Sequence, residues 1–412
     1  MDKSNKNLKL FPIYKSIAWD YIFYYTINFL FLTKIKGIEA SNIVLITAVF
    51  SIFGIIAQLP ASFIVEKIGR RNAIILGNLC SCGYFTLIIL SGSLMDILFA
   101  EILSASAFAL KGISEPGLLN SSIPASENKS KNYSRINEKG DSGYFIINAI
   151  SIVLAGFLFE INGYIPISLT LTTVIIATII SIMFEEPVKE KIEHVEFKET
   201  LRGFKFVLKS KRLRALMMCA AAVSGMIAVL NNYQVNILDE LNISPVYIGM
   251  IFAGLGIVSS VSSKKQVNTN EKFKNKTLTI IGYTMSISCI IAGLAAIMAV
   301  KYRILIIIIL LAYIARYAVV GVYFSLMEKY LRNFTNNKID TKIFMMNNFF
   351  KNSSNAILSL IASLLLSKLN IYYCMCIIGI IFTIVLTVVF KYMKKRVGLD
   401  VEKYQNKEIM YE

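Results

Sequence analysis

The dominant feature of the sequence is a series of about twelve apolar stretches, each roughly 19 to 26 residues long, separated by short polar segments. An α-helix rises 1.5 Å per residue, so about 20 residues are needed to cross a hydrocarbon core about 30 Å thick. Hydrophobic residues make up 56% of the chain and charged residues 17%, whereas charged residues are about 25% of soluble domains. The sequence therefore predicts an all-α membrane protein with twelve transmembrane helices in the lipid bilayer.

The spans fall into two groups of six, separated by the longest hydrophilic stretch. Their approximate positions are 12–33, 42–65, 72–92, 95–119, 142–161, 163–184, 215–238, 245–263, 277–299, 304–328, 342–367 and 371–393. This pattern predicts four regions along the chain. They are an N-terminal six-helix bundle (1–184), a central loop (185–214), a C-terminal six-helix bundle (215–393) and a tail (394–412).

Lysine and arginine are unequally distributed between the two sides of the predicted bundle. The side that carries both termini holds 35 of them, and the opposite side holds five. Positively charged loops stay in the cytoplasm, so we expect both termini, the central loop and the tail to be cytoplasmic in a multi-pass protein of the cell membrane. This bias also explains the net charge of +17, because these residues lie beside anionic lipid. We therefore expect no nucleic-acid partner.

The sequence offers no arrangement typical of a metal centre or an enzyme. All six cysteines lie in predicted spans, and the one histidine, His194, lies in the central loop. Zinc sites and metal-dependent active sites need several such ligands at fixed spacing. The phosphate-binding sequence Gly-x-x-x-x-Gly-Lys-Ser/Thr is missing as well. We therefore expect no cofactor, no metal and no enzymatic activity, and any transport would be driven by an ion gradient.

The segment between spans 2 and 3 carries the most specific motif. Residues 62–72 read Ser-Phe-Ile-Val-Glu-Lys-Ile-Gly-Arg-Arg-Asn, which resembles the loop Gly-x-Leu-Ala-Asp-Arg-x-Gly-Arg-Arg of the major facilitator superfamily. Gly69, Arg70 and Arg71 match directly, and Glu66 replaces an aspartate. The resemblance implies the major facilitator fold, in which two six-helix halves rock around a central site. It also implies that these four residues act in the gate that holds the halves together.

Other segments resemble one branch of that superfamily. Residues 59–62, 112–115 and 186–187 are similar to a prokaryotic branch that is often assigned to efflux of drugs or small molecules. Ser62 departs from the superfamily pattern, which has glycine at this position, and residues 268–276 of the second half lack the Gly-Arg-Arg sequence. The resemblance therefore covers the topology and the first-half motif.

Four charged residues interrupt the apolar spans at depths of roughly 12 to 18 Å, which places them in one layer near the midplane of the bilayer. They are Asp20, Lys111, Arg316 and Lys351. Each costs about 2.5–3.5 kcal/mol at a helix centre, so each needs a physical reason. One interpretation is structural, with Asp20 paired to a cation and Lys111 paired to Glu115 one turn along. The other is a water-filled site that binds an ionised solute and exchanges protons.

Polar neighbours extend this layer on two spans. Asp20 and Tyr24 are four positions apart, which places them on one face of a continuous helix, and Asn231 and Asn232 form a polar patch on span 7. Aromatic side chains beside charges can hold planar or cationic organic molecules. The resemblance adds that helices 1, 4, 7 and 10 line the central cavity of the superfamily. The predicted substrate- and proton-binding residues are Asp20, Tyr24, Lys111, Glu115, Asn231, Asn232, Arg316 and Lys351.

These observations favour a secondary active transporter that exports a small organic or drug-like solute by alternating access. We expect a proton or sodium ion as the coupling partner and a monomeric protein, with Asp20 as the coupling acid because it is the one carboxylate predicted at mid-depth. Import or exchange of an anionic solute is an alternative, suggested by the three buried cations. An alternative of another class is a membrane receptor or scaffold that does not transport.

The charge bias yields a topology test. In a variant without native cysteines, His194→Cys should react with a membrane-impermeant thiol reagent only after the cells are opened, because its loop is expected to be cytoplasmic. The control is Lys301→Cys on the opposite side, which should react in intact cells. Labelling of His194→Cys in intact cells would reverse the predicted orientation.

Overall fold

Every regular element in the part of the chain that the structure describes is a helix. The computed structural model describes residues 3–18, 20–124, 129–186, 210–265, 269, 272–273, 276–332 and 340–396. The main helices are α1 (Lys3–Ala18), α2 (Tyr24–Leu30), α3 (Ala40–Ile68), α4 (Arg70–Leu90), α5 (Leu94–Ser122), α6 (Lys129–Ile161), α7 (Tyr164–Ile182), α8 (Lys211–Glu240), α9 (Pro245–Lys264), α10 (Thr277–Ala299), α11 (Ile306–Arg332), α12 (Asp340–Leu366) and α13 (Ile371–Arg396).

Helices α3 to α13 match the prediction of an all-α membrane protein. Over the described ranges, these eleven are long and apolar enough to cross a membrane. The first predicted span, 12–33, is not one helix, because α1 ends at Ala18 and α2 begins at Tyr24 before a short π-helix, Phe31–Ile35. The prediction that Asp20 and Tyr24 share one helix face is therefore wrong.

The chain divides into two compact units. Unit 1 contains residues 1–193 and 243–253, and unit 2 contains residues 194–242 and 254–412, so α9 is divided between them. The predicted limits of the two bundles stay predictions. Most of the predicted central loop and tail, with His194, lies outside the described residues.

Unit 1 is organised around α5, which packs against both α3 and α4, while α1 packs against α6 and α4 against α7. Small side chains allow this close packing, as is common between helices in membranes. A Cβ atom on Gly77 of α4 would lie 2.8 Å from Cγ of Lys111 and 3.2 Å from the Ala107 carbonyl oxygen of α5. Glycine at this position therefore makes room for the buried Lys111 side chain.

Unit 2 is built from two sets of packed helices that share α13, and tyrosine hydroxyl groups form hydrogen bonds between its helices. Helix α10 packs against α11 and α13, and α8 packs against α12 and α13. The Tyr233 hydroxyl of α8 donates to the Ala362 carbonyl of α12 at 2.7 Å, and the Tyr323 hydroxyl of α11 donates to the Ala220 carbonyl of α8 at 3.3 Å. Such interhelical bonds contribute about 0.6–1.7 kcal/mol each in a membrane.

The break in the first span leaves backbone groups that a continuous helix would have paired. Unpaired backbone groups cost several kcal/mol each in a hydrocarbon environment. The Ala18 carbonyl accepts a hydrogen bond from the Lys111 ammonium at 2.9 Å, and the Ile22 carbonyl accepts one from the Thr170 hydroxyl of α7 at 2.7 Å. Phe23 has φ +70°, which costs roughly 1–3 kcal/mol for a bulky residue. Side chains from α5 and α7 therefore hold the break in place.

Thr170→Val tests this account of the break. The isosteric change removes the donor to the Ile22 carbonyl in a fully buried place, so it should lower the free energy of unfolding by about 1–3 kcal/mol, measured as thermal or denaturant unfolding in detergent. The matched control is Thr172→Val on the same helix. Its hydroxyl is exposed and bonds only to the Ser168 carbonyl of its own helix, so the change should stay within about 0.5 kcal/mol. Equal effects would show that Thr170 does not support the break.

Candidate functional site

Asp20 lies in the break of the first span rather than on a helix. Its carboxylate accepts hydrogen bonds from the Tyr21 backbone N–H at 2.8 Å and from the Tyr144 hydroxyl of α6 at 3.3 Å. Among the residues that the structure describes, Asp20 has no direct ion pair. The structural interpretation, in which a cation is bonded to Asp20, is therefore not what is observed. Backbone and phenol donors hold the carboxylate instead.

The side chain of Lys111, a residue of α5, reaches the carboxyl-terminal end of α1. The side chain is 5% exposed, its ammonium donates to the Ala18 carbonyl, and Nζ lies 5.5 Å from the centroid of the Phe108 ring. The carboxyl-terminal end of a helix carries partial negative charge, so a cation is favoured there. Lys111 also interacts electrostatically with Asp20 and Glu115. One ammonium group is thus placed between a helix end and two carboxyl groups.

Glu115 bonds to a tyrosine rather than to Lys111. The Tyr14 hydroxyl of α1 donates to the Glu115 carboxylate at 2.8 Å, and the Asn78 amide of α4 donates to the same hydroxyl at 3.2 Å. The structural interpretation of the charged layer paired Lys111 directly with Glu115 as an ion pair. The described contacts do not include one, because the Lys111 ammonium reaches the freed carbonyl of α1 instead.

This group of ionisable residues in unit 1, formed by Asp20, Lys111 and Glu115, has an unequal charge count. With all three ionised it carries a net charge of −1. Lys15 also interacts with Glu115, but its charge is balanced by Asp141, with which it forms an ion pair. A net charge is costly away from water, and the binding of one proton or one monovalent cation neutralises it. The arrangement can therefore exchange one positive charge.

Tyr24 belongs to a different polar contact in unit 1. The Tyr84 hydroxyl of α4 donates to the Glu101 carboxyl group of α5 at 3.1 Å and lies 3.4 Å from the Tyr24 hydroxyl. Glu101 is only 7% exposed, so it is buried although it was not among the predicted site residues. Its spacing from Lys111 and Glu115, by ten and fourteen positions, places all three on one face of α5. Helical periodicity was thus a usable signal for Glu101.

The neutral partners of the site carried no comparable signal. Tyr14, Asn78, Tyr144 and Thr170 are placed by α1, α4, α6 and α7, and each bonds to a group distant in the sequence. Tyrosine occurs 21 times in this chain, so its presence in a span does not single out a position. Sequence reasoning missed these residues because their role depends on tertiary packing.

Arg316 is the central charged residue of the predicted site in unit 2. It is 2% exposed, Nη2 donates to the Asn231 side-chain oxygen at 2.9 Å, and the guanidinium lies 5.1 Å from the centroid of the Tyr317 ring. The remaining nitrogens, Nε and Nη1, are buried and have no hydrogen-bond partner among the described residues. The same holds for the Tyr313 hydroxyl one turn earlier on α11.

The other two predicted residues of unit 2 are not bonded to Arg316. Asn232 and Lys351 are both half-buried, on α8 and α12. The hydrogen bond described for Arg316 goes to Asn231 alone. The eight predicted residues thus form a unit 1 group of Asp20, Lys111 and Glu115, a unit 2 pair of Arg316 and Asn231, and three residues apart from both.

The motif after α3 forms the beginning of α4. Gly69 has φ +88°, a conformation that favours glycine, and the next two backbone N–H groups, of Arg70 and Arg71, donate to the two carboxylate oxygens of Glu186 at 2.8 and 2.7 Å. The amino-terminal end of a helix carries partial positive charge and free N–H groups, so a carboxylate is favoured there. Glu186, which follows α7, therefore caps α4.

The arginine side chains of the motif extend this connection. Arg70 donates to the Gly117 carbonyl at 2.8 Å and to the Ser121 hydroxyl, and Arg71 donates to the Ile182 carbonyl at 2.6 Å. These bonds join the start of α4 to the ends of α5 and α7 within unit 1. Glu66 lies in the last turn of α3, and its side chain is outside the described part of the chain. The role of these residues in a gate stays a prediction.

The family description Major Facilitator Superfamily matches residues 13–333. This chain belongs to that superfamily. The resemblance carried by the Gly69 motif is therefore confirmed, and the protein is a transporter rather than an enzyme. No curated protein sequence is significantly similar to this transporter.

Solved structures of transporters share the fold. A point mutant of the nucleoside transporter NupG has a TM-score of 0.73 and 10% identity, over 95% of this chain and 99% of that one. A point mutant of the peptide transporter POT, in complex with alafosfalin, has a TM-score of 0.70 and 9% identity, over 96% and 95%. A bacterial homologue of the human lysosomal transporter Spinster has a TM-score of 0.65 and 14% identity, over 98% and 95%. At these identities the likeness shows the fold alone.

Gly69→Ala tests the contact between the motif and Glu186. A Cβ atom here would lie 2.8 Å from Cδ and Oε1 of Glu186, so the cap of α4 must shift. We expect slower solute flux in proteoliposomes, with solute binding at equilibrium largely unchanged, because the affected contact is at the end of the helices. The matched control is Gly37→Ala, which has φ +67° but open space around the new atom. It also places a side chain at positive φ, at a cost of roughly 1–2 kcal/mol, and should leave flux near the parental value.

If Gly69→Ala and Gly37→Ala have the same effect, backbone conformation alone explains it and the Glu186 contact is irrelevant. If solute binding is lost at an unchanged exchange rate, the motif acts in recognition rather than in conformational exchange.

Proposed function

We propose that this transporter moves a small organic solute out of the cell by alternating access, driven by the proton gradient. The observation that carries the proposal is the unequal group in unit 1, in which Asp20 and Glu115 both interact with the Lys111 ammonium, while the nearby Lys15 is paired with Asp141. One bound proton makes this group neutral, and its release restores the charge. A group that changes charge by one unit is what coupling to a proton requires.

Asp20 is the proposed coupling residue because the break gives it adjustable surroundings. It lies between α1 and α2 and accepts a hydrogen bond from the Tyr144 hydroxyl of α6. It also interacts electrostatically with Lys111 of α5. A residue at a helix break changes its neighbours when the flanking helices move, whereas a residue inside a continuous helix moves with it. Movement of the two predicted halves would then alter the proton affinity of Asp20. Sodium is the alternative coupling ion.

The substrate class and direction rest on weaker support. The structural neighbours include a nucleoside transporter and a peptide transporter, and nucleosides and peptides are small polar organic molecules. Export follows from the resemblance of three sequence segments to an efflux branch. Import or exchange of an anionic solute is the second candidate, favoured by the open donors of Arg316. A proteoliposome screen of organic anions and lipophilic cations, with and without a pH gradient, separates these alternatives.

Asp20→Asn is the decisive variant for proton coupling. It keeps the hydrogen-bonding shape but cannot exchange a proton, so accumulation driven by a pH gradient should be lost while downhill exchange of the same solute continues. The control is Asp96→Asn, which changes an exposed carboxylate that only caps α5. It should retain accumulation. Accumulation against the gradient at the parental level in Asp20→Asn would show that Asp20 is structural.

A further inference from the structure

The guanidinium of Arg316 in unit 2 is buried without a counter-ion. Arg316 has no ion-pair partner among the described residues, and two of its three nitrogens have no acceptor. An arginine side chain carries five N–H donors and stays charged at any physiological pH. Asn231 satisfies one donor, and the Tyr317 ring offers only its face. Most of the hydrogen-bonding capacity of this cation is unused.

Such an arrangement is unfavourable without a ligand. A buried charge that lacks a partner is strongly unfavourable, and each unsatisfied buried donor adds to this cost. A structural cation avoids this cost by pairing with a carboxylate, as Lys15 does with Asp141 in unit 1. Arg316 does not. The unpaired donors therefore indicate a place for an anion that is not part of the chain.

Neighbouring groups have the same unused capacity. The Tyr313 hydroxyl on α11 and both amide atoms of Gln234 on α8 are buried without a partner in the described part of unit 2. Gln234 lies one turn from Asn231 on α8, and Tyr313 lies one turn from Arg316 on α11. Tyr313 and Gln234 are therefore buried polar residues, on the helices that carry Arg316 and Asn231, that can bond to the oxygen or nitrogen atoms of a polar organic molecule.

We propose that Arg316 and Asn231 form an anion site that binds the carboxylate or phosphate group of the transported solute. This assignment rests on the proposed transport function and names its substrate class. The planar guanidinium carries two pairs of parallel N–H groups, Nε with Nη2 and Nη1 with Nη2. Asn231 accepts from one N–H of Nη2, so the other N–H of Nη2 and its neighbour can pair with two oxygens of one carboxylate or phosphate. Lys111, the other fully buried cation of the predicted layer, is bonded to the Ala18 carbonyl. Arg316 is therefore the cation with open donors.

The experiment measures thermal unfolding of the purified full-length protein at constant ionic strength. The probes are benzoate, inorganic phosphate and the cation tetraphenylphosphonium. Benzoate or phosphate should raise the melting temperature of the parent, and tetraphenylphosphonium should not, because an anion pairs with the buried guanidinium. Benzoate alone, or phosphate alone, identifies which kind of anionic group the site prefers. Failure of both anions to stabilise the parent would overturn the assignment.

Two variants separate a binding residue from a structural one. Arg316→Gln should abolish the stabilisation by anions, yet melt no lower than the parent without anion, because it removes an unpaired buried charge. Arg316→Lys keeps the charge but loses the planar pair of donors, so it should weaken anion binding by about tenfold or more. The control is Arg214→Gln. Arg214 donates to the Tyr392 hydroxyl, and the variant should still be stabilised by anions.

Two results would refute the anion site. The first is anion stabilisation that persists in Arg316→Gln. The second is a melting temperature of Arg316→Gln below that of the parent without anion, which would make Arg316 a structural residue. The transport proposal fails separately. If a solute without an anionic group accumulates in a way that needs Asp20 but not Arg316, the transport proposal stands and the anion site is refuted. If anions bind through Arg316 but no solute flux is found, the anion site stands and the transport proposal fails.

Discussion

The hydrogen bond from the Lys111 ammonium to the Ala18 carbonyl is the interaction on which the unit 1 site depends. A helix that ends inside an apolar region leaves carbonyl groups that no water can satisfy. Lys111 satisfies one of them and is in turn stabilised by the negative end of α1. The break and the buried cation thus explain each other. Because the break removes Asp20 from any helix, it also gives that carboxylate its contact with Tyr144.

The two units handle buried charge in different ways. In unit 1, Asp20, Lys111 and Glu115 interact with each other and with tyrosine hydroxyls, so the group lacks one positive charge. Within the described part of unit 2, Arg316 has an amide and an aromatic ring as its partners and no carboxylate. In our proposals, a proton neutralises the first arrangement and an anion neutralises the second. A transporter that couples proton movement to an anionic solute would use both.

The Gly69 motif shows how much of a site can be predicted from a short sequence. Its residues identified the superfamily, and the positive φ of Gly69 agrees with the expected tight turn. The contact between Arg70 and Glu186 could not be predicted from the sequence, because 116 positions separate the two residues. No local pattern relates two residues that far apart. Their contact requires α4 and α7 to pack side by side.

The sequence by itself determined that the chain is helical and membrane-spanning, because hydrocarbon thickness and internal backbone pairing impose a length and a polarity that can be read directly. The major facilitator type followed from the resemblance of residues 62–72 to the motif of that superfamily. The sequence also identified the charges that lie inside the spans. Only the tertiary structure decided that the first span is broken, that Lys111 bonds to a carbonyl rather than to Glu115, and that Arg316 has open donors. The spacing of residues along one helix gives its faces. The partner of a buried charge is chosen by what the neighbouring helices bring within hydrogen-bonding distance.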